Sequence, residues 1–223
     1  MDSDLLYFLA RWWHVVFGIT WIGLLYYFNF VQTEYFKEAD PDARTDAFVK
    51  LAPRALWWFR WGAMFTFLTG LLMLAILGRA TSFAITLGSV LGILMFLNVW
   101  LIIWPNQKIL IASNEQVKGG GEALPEAAAA APKAALASRT NTLFSVPMLF
   151  FMVGSAHLAT TSGLGFGAIG SASTAALIVS LVIIAALELN AIFGKPGPIA
   201  SVQGVITSSI VLTGVFWAVV AYL

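Results

Sequence analysis

Residues 82–104 read SFAITLGSVLGILMFLNVWLIIW, a run of 23 residues without a single charge. About 20 apolar residues suffice for a helix to cross the hydrocarbon layer of a bilayer. Working outward from this run, comparable blocks lie at 6–31, 55–78, 142–161, 172–194 and 201–223. The expected fold is therefore all-α: a polytopic membrane bundle of six transmembrane helices in one integral domain, residues 1–223. The first block does not read as a cleaved signal, because it is long and begins with Asp2 and Asp4 rather than with basic residues. Glycines within the blocks (Gly18, Gly23, Gly62, Gly70, Gly88, Gly92, Gly154, Gly214) suit close helix approach.

The chain has 223 residues, 60% hydrophobic and 10% charged, with 12 Lys and Arg against 11 Asp and Glu. That balance leaves no basic stripe for nucleic acid. Cysteine is absent, which excludes disulfides, thiolate metal sites, a cysteine nucleophile and covalently attached haem. With six spans both termini share one side. That side holds Arg11 and Arg79, whereas the opposite loops hold Lys37, Arg44, Lys50, Arg54, Lys108, Lys118, Lys133, Arg139 and Lys195. Arg60 lies inside the second span near the richer side. Positive charge marks the cytoplasmic side, so the expectation is a bacterial inner membrane protein with both termini periplasmic. Trp12, Trp13, Trp57, Trp58, Trp61 and Trp104 fall at span ends, where an aromatic belt forms.

Between the blocks, Asp40-Pro41-Asp42 predicts the start of a short surface helix. Residues 114–137 hold Gly119-Gly120-Gly121 and an Ala/Pro-rich stretch, which reads as a flexible linker between two three-helix halves. The glycine triplet is not a phosphate loop: no strand precedes it and no Lys-Ser/Thr follows. Gly163 to Gly170 is an uncharged outer loop, and Lys195-Pro196-Gly197-Pro198 a tight turn.

Chemistry centres on the two histidines, His14 and His157. An imidazole inside a membrane is a functional-site candidate. Spans one and four run antiparallel, and each histidine falls roughly 6–13 Å below the outer boundary at 1.5 Å per residue. Gly18 lies one turn beyond His14 and Gly154 one turn before His157, which leaves clearance for a flat ring. Arg11 precedes His14 by three residues on one face, and Arg79 lies in the outer loop, so two cations face two haem propionates. Trp21, Leu25, Phe150 and Val153 are candidate walls, and Thr20 and Ser155 candidate acceptors for the second imidazole proton. The residues themselves leave three readings open: His14 and His157 as metal ligands sharing one haem b, another metal, or two histidines bonded to carbonyls across helix interfaces. Glu188 and Asn190 near the cytoplasmic end of span five read as a proton-path start or an interface pair. Asn29 and Asn98 read as interhelical donors, and Pro147 as a kink.

Four blocks carry a resemblance. Arg11-Trp12-Trp13-His14 with Gly18-Ile19-Thr20-Trp21-Ile22-Gly23 and Tyr27-Phe28, then Trp57-Trp58-Phe59-Arg60-Trp61 with Thr66 and Gly70, come first. Trp104-Pro105-Asn106-Gln107-Lys108 follows. Last is Arg139-Thr140-Asn141-Thr142 with Ser145-Val146-Pro147-Met148-Leu149-Phe150-Phe151-Met152, ending at His157. In order, they resemble the membrane domain of the membrane-bound urate oxidase (urate hydroxylase) family, whose full-length members add a C-terminal cytochrome c. The first helix is also similar to that of the protoporphyrinogen-oxidase-like haem b family. The last two spans carry no block of this kind. Position 140 is Thr where the family's block holds another histidine. The resemblance implies a haem-b-binding membrane redox protein, a possible oxidoreductase, exchanging electrons with an external partner such as a cytochrome c or a larger membrane complex. Two other classes stay in view: a non-catalytic accessory subunit of a respiratory or photosynthetic complex, and a small-solute or metal transporter. No inverted repeat favours the transporter.

Overall fold

A computed structural model describes residues 3–78, 81–157 and 173–223. No strand occurs among them, and the fold is all-α as expected. The helices are α1 (Ser3–Glu38), α2 (Pro41–Lys50), α3 (Ala52–Leu77), α4 (Phe83–Lys118), α5 (Ala127–His157), α6 (Thr174–Phe193) and α7 (Val202–Tyr222). In lipid every backbone amide needs an internal partner, which is why the apolar blocks become helices. Their starts are fixed by side-chain caps: the hydroxyls of Ser82, Ser173 and Ser201 accept from the amides of Ile85, Ala176 and Gly204. Pro41 opens α2 as Asp40-Pro41 predicts.

Five helices among the described residues, α1, α3, α4, α6 and α7, are long and apolar enough to cross a membrane. The fourth expected span, 142–161, falls on α5, and its residues 158–161 lie outside the described ones. Helix α5 differs from the five in carrying Arg139, Thr140, Asn141, Thr142 and Ser145, all buried. It tolerates them because it runs through the middle of the bundle. Its polar atoms meet protein rather than lipid tails.

Two helices overrun their apolar blocks. Both α1 and α4 are 36 residues long, about 54 Å at 1.5 Å per residue. Each contains one π-helical turn, Tyr27–Gln32 in α1 and Asn98–Ile103 in α4. The segment expected as a linker, 114–137, is mostly helix. Helix α4 runs to Lys118 and α5 begins at Ala127. Alanine is the strongest helix former, and Ala130, Ala134 and Ala137 bury one face of this stretch. Only 119–126 connects the two helices, and the Leu124 amide is tied back to the Ser113 hydroxyl at 3.0 Å.

Helices α1 and α3 pair through Gly62: a Cβ there would come within 3.2 Å of the Trp21 backbone nitrogen. Helices α4 and α5 pair through Gly88, where a Cβ would come within 2.8 Å of Met152 Cγ. The expected role of small residues as contact points therefore holds at Gly62, Gly70, Gly88 and Gly92, but Gly23 and Gly214 face nothing within 4 Å. Side-chain hydrogen bonds join α1 and α7 to α5. The Tyr26 and Ser145 hydroxyls lie 2.9 Å apart, Asn29 donates to the Ser138 hydroxyl at 2.8 Å, and Ser209 donates to the Thr142 carbonyl at 3.1 Å. Large apolar side chains such as Ile19, Leu101, Val182 and Ile210 are exposed on the outer faces, as lipid contact requires.

Candidate functional site

Helix α1 presents His14 to α3. Its Nδ1 lies 2.8 Å from the Thr66 carbonyl oxygen and 3.2 Å from the Thr69 hydroxyl. The carbonyl can only accept. The Thr69 proton is engaged by the carbonyls of Phe65 at 2.6 Å and Thr66 at 3.0 Å. Nδ1 therefore carries the hydrogen and donates to both oxygens. In neutral imidazole the other nitrogen, Nε2, then keeps its lone pair. A histidine ligand is commonly oriented in this way, by donating its second ring hydrogen to a carbonyl. The ring also has space made for it. A Cβ at Gly70 would come within 3.1 Å of His14 Cε1.

The clearance thus comes from Gly70 on the partner helix rather than from Gly18, where a Cβ would reach only the Thr66 methyl at 4.0 Å. The His14 ring hydrogen goes to neither Thr20 nor Ser155, whose hydroxyls donate to the Val16 and Met152 carbonyls. The true partners, Thr66 and Thr69 with Gly70, lie more than 50 residues away. Their signal in the sequence is a small, polar i, i+3, i+4 face on the second span.

His157 ends the described part of α5 and is exposed. An ideal helical rise puts it at the level of His14. Tyr26 and Ser145 touch, and each histidine is twelve residues from its member of that pair, about 18 Å toward the same end. At about 100° per residue, twelve residues turn a side chain about 120° away from the contact. In antiparallel helices both turns have the same sense seen from one end, which carries the two imidazoles to opposite sides of the α1–α5 plane. Ideal helix geometry thus puts the two imidazoles at one depth but on different faces. The candidate walls divide in the same way. Trp21 and Leu25 are buried in the core, while Val153 is exposed. Gly154 is buried, Arg11 is exposed, and Arg79 lies outside the described residues, as does the 163–170 loop. Among the described residues no group of three or more His, Cys, Asp or Glu converges as a metal site.

Toward haem, these residues offer one fitting axial ligand, His14. Nearby, Trp21 follows it by seven residues, two turns along one face, and its buried indole Nε1 has no hydrogen-bond partner. A polar atom left in that state is costly unless something else meets it.

A second polar cluster lies toward the opposite end of the bundle. Asn98 donates to Asn141 Oδ1 at 3.0 Å and to Glu188 Oε2 at 3.2 Å, and Asn141 donates to the Met95 carbonyl at 2.9 Å. Asn98 opens the π turn of α4, so the network sits where the helix ladder is locally rearranged. Glu188 is therefore an interface partner across α4, α5 and α6. Asn190 instead holds the Lys195 backbone at the turn.

Comparison with known proteins gives one match. The family model described as urate oxidase N-terminal matches residues 77–221. No curated protein and no solved structure matches the chain. The matched range holds the blocks at 104–108 and 139–157 and also α6 and α7, in which the sequence shows no recognisable block. The blocks around His14 and Trp57 fall before it.

Proposed function

The chain belongs to the urate oxidase N-terminal family, and on that premise we propose that it is a haem-b-binding membrane redox protein passing electrons to or from an external partner. One observation carries the reading: His14 Nδ1–H is fixed on the Thr66 carbonyl, which leaves Nε2 free to bind iron. His14 would hold the iron through Nε2. Arg11, exposed three residues before it, and Arg79 would pair with the propionates. His157 is exposed, and with the ideal helical turn putting it on the other side of the α1–α5 plane it would serve a partner-facing surface rather than the same iron. Haem bound there would supply one-electron chemistry. The chain's own residues bind and orient: Thr66 and Thr69 hold the imidazole hydrogen at Nδ1, Gly70 admits the ring, and Trp21 Nε1 offers a hydrogen bond. Residues 1–223 hold no cysteine, so haem within them would be held without a thioether bond.

The membrane arrangement belongs to the same reading: six spans, α5 included, in a bacterial inner membrane with both termini periplasmic. The nine-to-two distribution of loop cations supports it. The absorption spectrum of protein purified with ample haem supply tests the proposal. A Soret band lost in His14→Ala is expected. A colourless wild-type protein would refute it.

A further inference from the structure

The cytoplasmic end of α3 and the middle of α4 hold a group of charges that the redox reading does not use. The Arg60 guanidinium carbon stands 3.7 Å from the centre of the Trp104 ring, and Lys108 Nζ stands 5.8 Å from the same ring. Two cations thus gather on one indole. Among the described residues no ion pair offsets their mutual repulsion. The ion pairs among the described residues are Glu34–Lys37, Asp46–Lys50 and Asp46–Lys118, and none includes Arg60 or Lys108. The indole face attracts both, but a cation–π contact satisfies none of the guanidinium N–H donors. Arg60 Nη1 is buried and has no hydrogen-bond partner.

The level of this group indicates what completes it. Trp57 and Trp58, one turn from Arg60 toward the helix start, are 46% and 60% exposed. Exposed tryptophans mark the membrane–water interface. Arg60 lies just to the apolar side of that belt, with its head over Trp104, and Lys108 is exposed one turn beyond Trp104. Basic pockets between helices at the cytoplasmic interface suit anionic lipid head groups. Arg60 as a whole is only half-buried, and a phosphodiester at its accessible edge would offset the charge of both cations.

We propose that Arg60, Trp104 and Lys108 form a binding site for the phosphate of an anionic phospholipid. The site is separate from His14, so it stands or falls independently of the redox reading.

Native mass spectrometry of the full chain, titrated with phosphatidylglycerol or phosphatidylcholine, tests it. Phosphatidylglycerol should be retained more tightly than phosphatidylcholine. Each cation near the surface is worth about fivefold in such binding, so Arg60→Gln and Lys108→Gln should each weaken retention by about that factor. Arg44→Gln, on the exposed surface of α2, should leave it unchanged. Lys108 is exposed, so its variant keeps the test decisive if Arg60→Gln folds poorly. Equal retention of the two lipids, equal retention by wild type and Lys108→Gln, or displacement of the lipid by millimolar inorganic phosphate would each overturn the proposal.

Discussion

The Tyr26 and Ser145 hydroxyls meet at 2.9 Å between α1 and α5, and from that contact the two histidines of the chain diverge. Each is twelve residues away toward the same end of the bundle, and an ideal helical turn carries each to its own side. His14 then finds its partners on α3. This separation gives the two histidines different expected phenotypes. His14→Ala should abolish the Soret band. His157→Ala should leave its intensity nearly intact. Equal loss in both variants would show that the helices rotate to share one haem.

Gly70 should be the most demanding glycine near His14. A Cβ would stand 3.1 Å from Cε1, so Gly70→Val must push the imidazole off the Thr66 carbonyl. Overpacking of this kind costs about 1–3 kcal/mol. A lowered thermal midpoint with a shifted or weakened Soret band is expected. Gly23→Ala, where nothing lies within 4 Å, serves as the control and should change neither.

The Asn98 network should be structural. Asn98→Leu leaves Glu188 and Asn141 Oδ1 without their donor inside the bundle, at a cost of about 1–3 kcal/mol. Glu188→Gln keeps an acceptor oxygen for Asn98 and should be far milder. Thermal unfolding in detergent measures both. A Soret band unchanged in Glu188→Ala would separate this network from the His14 site.

Acid should loosen α2 from the end of α4. Lys118 and Lys50 both bond Asp46, and these hydrogen bonds hold its carboxyl below the ordinary aspartate range. Because the folded pKa is the lower one, the tie is complete above the unfolded value. It is lost as pH falls through the folded value. Amide exchange in 41–50 should rise in that acidic window, relative to α3. Asp46→Asn should already show the faster exchange at neutral pH and lose the pH step.

Orientation is checked by reporter fusions. Fusions at Met1 and Leu223 should both read periplasmic, and one placed at Gly120 cytoplasmic. Opposite readings would reverse the sidedness and place Arg60 and Lys108 in the outer leaflet.

The apolar blocks and the Pro41 start were legible because each depends on neighbouring residues alone. The extents of α1 and α4 were not. Residues 33–38 and 105–118 are polar because they leave the hydrocarbon, and polarity there resembles a loop although the helix continues. The alanines of 127–137 gave the opposite error: their small, uniform side chains read as a linker, yet at i, i+4 and i+7 they bury one helix face. At the site, the residue type His14 was readable. Its tautomer was not, because Thr66 and Thr69 reach it only through the α1–α3 pairing. Arg60 was counted for its charge alone, since nothing local announces that Trp104 will pass 3.7 Å beneath it.

The length of α1 and α4 has a mechanical consequence. A hydrocarbon core of about 30 Å takes up little more than half of a 36-residue rod. The remainder stands clear of the lipid as a stiff post, joined to α2 through the Lys118–Asp46 bond. A soluble protein arriving from that side would meet a braced ledge before it met the bilayer. A domain grafted into Gly119–Gly121 would ride on that ledge with little freedom to swing.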